Sequence, residues 1–142
     1  MTLTHDLQRI TAFLTELPHA RALSMRVESF GNASAALSMP YDTRFVGDPA
    51  TGVIHGGAVS ALMDTTCAGA VMAHPEHPLS TATIDLRIDY MRSATPGQRI
   101  TARAECHHIT RHVAFVRAVA YDADETRPVA TATATFTVER AP

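Results

Sequence analysis

The stretch Gly52-Val53-Ile54-His55-Gly56-Gly57-Ala58-Val59-Ser60-Ala61-Leu62-Met63-Asp64-Thr65-Thr66-Cys67-Ala68-Gly69-Ala70-Val71-Met72-Ala73 decides the fold. A helix wound from it is small or apolar on nearly every side, and such a helix belongs inside a core. It carries one charge, Asp64. A carboxylate there is costly unless paired or hydrogen-bonded, and carboxyl groups with perturbed surroundings cluster at functional sites. Gly56 and Gly57 stand where the chain enters the helix, with no side chain to keep a ligand from the backbone. The first N–H groups of a helix lack partners inside it and lie at the positive end of its dipole. His55-Gly56-Gly57 therefore reads as a docking point for a carbonyl or an anion, and the lone acid on the same helix strengthens that reading.

Downstream, His74-Pro75-Glu76-His77-Pro78 cannot continue the helix, because proline lacks the donor and pushes the residue before it out of the α region. Thr83 to Tyr90 alternates strictly, with Ile84, Leu86, Ile88 and Tyr90 on one face and Thr83, Asp85, Arg87 and Asp89 on the other. That pattern predicts a half-buried strand. Further strands are predicted over 98–109, 112–121 and 129–138, separated by turn formers. Upstream, 40–51 is polar and reads as a surface loop leading into the helix. Residues 24–30 and 33–39 read as a hairpin about Gly31-Asn32. Leu7, Ile10, Phe13, Leu14 and Leu17 fall at helical spacing, and Pro18 closes that run.

An antiparallel sheet can stay wet on one face and cover a helix with the other. Ala58, Ala61, Ala68, Gly69 and Ala70 would let it close in tightly. The class is α+β, with an antiparallel sheet wrapped around a central helix.

Composition narrows the function. The 142 residues suit one domain, and a net charge of -2 offers no basic field for nucleic acid or an anionic membrane. The first ten residues lack the pattern of a secretory signal and the central helix is too short to span a bilayer, so a cytoplasmic protein is expected. Cys67 and Cys106 are far apart without metal-ligand spacing and read as packed, reduced thiols. His107, His108 and His112 read as a solvated strand end. Asp85, Arg87 and Asp89 read as surface pairs, and Arg92 and Arg111 as solvated surface or, failing that, as contacts for phosphate. Ser60 lacks the Gly-x-Ser-x-Gly elbow of serine hydrolases.

Four pieces of the sequence carry a family likeness: Gly52-Val53-Ile54-His55-Gly56-Gly57, the helix on to Leu62-Met63-Asp64, the strand Thr83 to Arg92, and Pro96-Gly97. Over about the whole chain after Pro40, the sequence resembles the hotdog-fold acyl-CoA thioesterases of the PaaI-like type. The resemblance implies a single hotdog domain over 1–142, with an N-terminal helical segment over 1–22, an active-site loop over 40–55 and the central helix over 56–73. It implies hydrolysis of an acyl-CoA thioester without cofactor or metal. The backbone N–H of Gly56 would polarise the carbonyl, Asp64 would act as nucleophile or general base, and His55 would orient the loop. Thr83 would help place the attacking water, and Gly57 and Asp48 would contact substrate. Relatives commonly carry an asparagine in the loop before the histidine. Asp48 stands nearest to that place here, and a carboxylate offers no amide donor. A non-catalytic acyl-CoA sensor and a hotdog hydratase share the architecture and are the competing readings.

Spacing adds a condition. Eight residues separate Gly56 from Asp64, which is roughly 12 Å along one helix. Attack requires the acid or its water about 3 to 3.5 Å from the carbonyl carbon. The acid must then come from a second subunit, and a two-fold dimer with antiparallel central helices would supply it. The resemblance likewise implies a homodimer or a dimer of dimers with sites at the subunit interface.

Overall fold

A computed structural model describes residues 8, 10–12, 14 and 16–142 of the chain. The expected amphipathic helix over Asp6 to Leu17 lies partly outside the described residues. Its described members up to residue 16 are helical, and Leu14 reaches the core. Pro18 does more than close that run. After a bend at Leu17 it opens a second short helix, Pro18–Ala22, at a first-turn position where the missing N–H is no loss.

Strands β1 (Arg26–Gly31) and β2 (Ser34–Met39) form the predicted hairpin. Its turn falls one residue later than expected, because the paired positive φ angles belong to Asn32 (55°) and Ala33 (62°). Alanine enters that region only at a cost. Ala33 is held there from both sides: its N–H donates to the Ala73 carbonyl at 2.9 Å, and its own carbonyl accepts from the Cys106 N–H at 2.8 Å. The predicted loop over 40–55 is folded, with a 3-10 turn at Thr43–Phe45 that buries Phe45 and a small hairpin of β3 (Val46–Asp48) and β4 (Val53–Ile54).

The central helix runs over Gly56–Met72, and β5 (Thr83–Tyr90), β6 (Ile100–Ile109), β7 (Val113–Tyr121) and β8 (Ala130–Thr137) follow. Six strands make one antiparallel sheet in the order β1-β2-β6-β7-β8-β5. The helix packs mainly on β2, β6 and β7. Register explains how closely it can lie. Ala35, Ala104, Ala118 and Ala132 stand in one row across four strands, and Leu37, Ala102, Ala120 and Ala130 in the next. On the helix side, a Cβ added to Gly69 would sit 3.2 Å from the Ala35 methyl carbon.

The described residues do not enclose the helix. Val59, Leu62, Met63, Thr66, Cys67, Gly69, Ala70 and Val71 are buried, while Ala58, Ala61, Asp64, Thr65, Ala68 and Met72 run along the other side, partly exposed. A single sheet covers one side of a cylinder, so the apolar pattern on every side exceeds what the described residues bury. The edge strand carries the same excess. Ile84 is 56% and Tyr90 51% exposed, and only Leu86 and Ile88 of the predicted apolar face are partly covered.

Candidate active site

The small hairpin delivers His55 to the helix entry. The His55 N–H donates to the Phe45 carbonyl at 2.8 Å. Gly47 lies so close that an added Cβ would be 2.7 Å from His55 Cα, a contact with backbone that only glycine avoids. His55 then caps the helix, its Nδ1 accepting from the Gly57 N–H at 2.7 Å, so that nitrogen carries no proton. The Ala58 N–H is spent on the His55 carbonyl at 3.0 Å. Among the described residues, the Gly56 N–H alone of these first three has no hydrogen-bond partner. It is the donor the sequence singled out.

Two turns along, Asp64 is partly buried, on the side of the helix that the sheet leaves uncovered. Thr83 Oγ1 donates to its Oδ1 at 2.7 Å within the same chain. Strict alternation would place Thr83 beside Asp85 on the outer face. Instead the register slips between them, so that Thr83 lies opposite the buried Phe136 while Asp85 lies opposite Thr135. A bulge next to a site commonly re-aims a side chain in this way. The other end of the same strand reaches the helix entry, where the Tyr90 hydroxyl donates to the Gly56 carbonyl at 2.8 Å. Strand β5 thus touches both the glycine that bears the free donor, at its carbonyl, and the acid.

Beside the entry lies a groove of about 340 Å³, lined chiefly by Leu23, Phe45, Val46, Ala58 and Ala61, with His19, Arg44 and His55 as its polar members. Its size falls within the roughly 300–1,000 Å³ of small-molecule sites, and its apolar lining fits the same class.

Residues 51–129, more than half of the chain, match the thioesterase superfamily. The chain belongs to the thioesterase superfamily. It is 31% identical over 139 residues to the medium/long-chain acyl-CoA thioesterase YigI of Salmonella typhimurium, covering 89% of this chain and 88% of that protein. A crystal structure of a Pseudomonas aeruginosa protein shares 37% identity at a TM-score of 0.82, covering 93% of this chain and 98% of that one. The Escherichia coli PaaI protein from the phenylacetic acid degradation operon superposes with a TM-score of 0.85 at 20% identity, over 99% of this chain and 98% of that one. The sheet wrapped on a central helix is the hotdog fold of these thioesterases, and the chain is an enzyme of their kind, as the sequence predicts.

Within this thioesterase, several residues singled out in the sequence make contacts that support the local structure. Asp48 organises its own turn: its carboxylate accepts from the Ala50 N–H at 3.0 Å and the Thr51 hydroxyl at 2.8 Å. The Gly57 N–H is spent on His55, so Gly57 acts by leaving room, since an added Cβ would be 2.8 Å from His55 Nδ1. Arg92 is not solvated surface and is not free for a phosphate. Its guanidinium grips Asp122 through two 2.7 Å hydrogen bonds and also donates to the carbonyls of Ser93 and Arg127. The Asp122 side chain is fully buried in that grip. Ser60 donates to the Gly57 carbonyl at 3.0 Å. Burial, helped by the charge of Asp64, pushes the Cys67 thiol up to about 12, which leaves it an inert core residue. Among the described residues no group of three or more His, Cys, Asp or Glu is placed to hold a metal. None of their helices is long and apolar enough to cross a membrane.

Tyr90 is the member of this neighbourhood whose hydroxyl the sequence did not assign. It closed the apolar face of β5, and a phenol there needs a polar partner, which was the signal available.

Proposed function

We propose that the chain hydrolyses medium- or long-chain acyl-CoA thioesters at two equal sites, each shared between two copies. One observation carries the reading: the helix entry presents an unpartnered N–H at Gly56, while the hydrogen-bonded pair Asp64 and Thr83 stands roughly 12 Å further along the same helix. The donor and the acid are the parts a thioester hydrolase needs, and their separation requires that they come from different chains. The partly exposed helix stripe of Ala58, Ala61, Asp64, Thr65, Ala68 and Met72, and the unpaired edge of β5 with Ile84 and Met91 exposed, offer the surface for a second copy. A dimer of dimers keeps the same sites.

In this mechanism the thioester oxygen docks on Gly56 N–H of one copy, which stabilises the negative charge that develops there. Asp64 of the other copy acts in one of two ways. As general base it takes a proton from water as the water oxygen bonds to the carbonyl carbon. As nucleophile it bonds to that carbon itself, and water cleaves the resulting anhydride. In either case the carbon–sulfur bond breaks, the thiolate takes up a proton, and free acid and CoA leave. Thr83 holds Oδ1 and leaves Oδ2 for the chemistry. The apolar groove of Leu23, Phe45, Val46, Ala58 and Ala61 suits an acyl chain, in keeping with the substrates named for YigI. A hydratase is disfavoured because its acid and histidine are engaged here, Asp48 in its turn and His55 Nδ1 with Gly57. Retention of Asp64 at the helix centre disfavours a mere sensor.

The test is release of free thiol from acetyl-, octanoyl-, palmitoyl- and phenylacetyl-CoA by the wild type and by Asp64→Ala. Turnover of the longer chains by the wild type and none by the variant is expected. A wild type that releases no thiol from any of them overturns the reading.

A further inference from the structure

We infer that Tyr90 is a positioning residue for the oxyanion donor: with His55 it clamps the peptide unit between Gly56 and Gly57, and so fixes the direction of the free N–H. This rests on Gly56 being that donor. The clamped unit has two polar ends. Its oxygen, the Gly56 carbonyl, accepts from the Tyr90 hydroxyl at 2.8 Å, and its N–H, that of Gly57, donates to His55 Nδ1 at 2.7 Å. The preceding unit, which bears the free Gly56 N–H, is tied at its oxygen by Ala58 at 3.0 Å. With both flanking planes held, the dihedral angles of Gly56 have no slack.

That restraint answers a need in the sequence. Successive glycines at a helix entry have more conformational freedom than any other pair, and the first turn has few intrahelical bonds to restrain it. A donor that wanders loses its value, because oxyanion stabilisation depends on groups already aimed before the charge develops. The phenol ring adds a steric wall, since a Cβ at Gly56 would lie 3.4 Å from its Cε1 and Cζ. Tyr90 is half exposed, and a neutral hydrogen bond open to water adds little to folding. Its value lies in where it holds the backbone. Because Thr83 on the same strand holds Asp64, β5 positions both halves of the chemistry.

The experiment compares wild type, Tyr90→Phe and Asp64→Ala in one thiol-release assay with octanoyl-CoA, alongside melting temperature and molar mass by light scattering. Tyr90→Phe keeps the ring and loses only the hydroxyl. Expected is a kcat lower by roughly three- to tenfold, the worth of one neutral hydrogen bond, with KM within about twofold, since the loss falls on the transition state. Melting temperature and molar mass stay at wild-type values. An unchanged kcat, a rise in KM alone, or a fall in kcat that tracks a lower melting temperature or a smaller particle overturns the assignment. An active wild type with an inactive Asp64→Ala upholds the hydrolase whatever Tyr90→Phe does, whereas a wild type without activity overturns both.

Discussion

Thr83 donates its hydroxyl hydrogen to Asp64 across 2.7 Å, from the first residue of the edge strand to the middle of the central helix. One carboxylate oxygen is thereby fixed, and under the proposed mechanism the other is left for water or substrate. Asp64→Ala should lower kcat by at least about a hundredfold, the usual scale for a lost general base, and Asp64→Asn nearly as much. Thr83→Val should cost about tenfold. Calorimetric binding of a non-hydrolysable acyl-CoA thioether should survive in all three. Wild-type turnover in Asp64→Ala would remove that residue from the mechanism.

Two inactive chains should restore one active site. Gly56→Trp blocks the donor and Asp64→Ala removes the acid. Mixed under conditions that exchange subunits, they yield heterodimers with one intact and one doubly damaged site. A statistical mixture regains up to about a quarter of wild-type activity. If labelled subunits demonstrably exchange and no activity returns, each site lies within one chain.

Gly47→Ala tests the support behind His55. The new methyl would meet backbone at 2.7 Å, so β3 or the helix entry has to move. Displacements of this kind near a reacting centre lower kcat by about tenfold or more. Gly97→Ala is the control, with a φ of +85° but nothing within 4 Å of its added Cβ. It should lower the melting temperature slightly and leave kcat alone. Equal effects on kcat from both variants would refute a specific role for Gly47.

Acid should loosen the grip of Arg92 on Asp122. The Arg92 guanidinium holds the Asp122 carboxyl well below the usual carboxylate range against the opposing effect of burial, aided by the N–H groups of Asp124 and Thr95 and the Thr95 hydroxyl. The folded pKa lies below the unfolded value of roughly 3.9. The resulting stability is complete above that pH and is lost as the pH falls below it. Arg92→Met should cost roughly 3 kcal/mol at neutral pH by stranding a buried charge. Its deficit in melting temperature should narrow below about pH 4. A deficit that stays constant down to pH 2 would contradict the pairing.

Much of this was legible in the sequence because periodicity reports burial directly. The helix over 56–73 ends one residue early and β5 keeps its predicted bounds. The placement of Thr83 was not legible, because alternation cannot show where a strand slips against its neighbour. Nor was the grip of Arg92 on Asp122 or the bond from Tyr90 to Gly56, each joining residues 30 or more apart that only the sheet order brings together. The helix pattern reported more burial than the described residues supply, and the proposed second copy would account for the excess. The turn that Asp48 builds was not legible either, because such a turn and a catalytic loop need the same polar residue type.

Gly69 limits how this enzyme can be stabilised. A glycine inside a helix gives up about 1 kcal/mol of propensity relative to alanine, which makes Gly69→Ala an obvious engineering choice. The Ala35 methyl stands 3.2 Å from where the new carbon would go. To admit it, the helix or β2 must give by a few tenths of an ångström, and whether they can decides the sign of the change. Since Gly56 and Asp64 ride on that helix while Tyr90 and Thr83 are fixed to β5, any lift is felt as misalignment at both ends. Under the proposed mechanism, helix propensity and catalytic alignment therefore pull in opposite directions at this one position, and gains in robustness are better sought in the exposed loops.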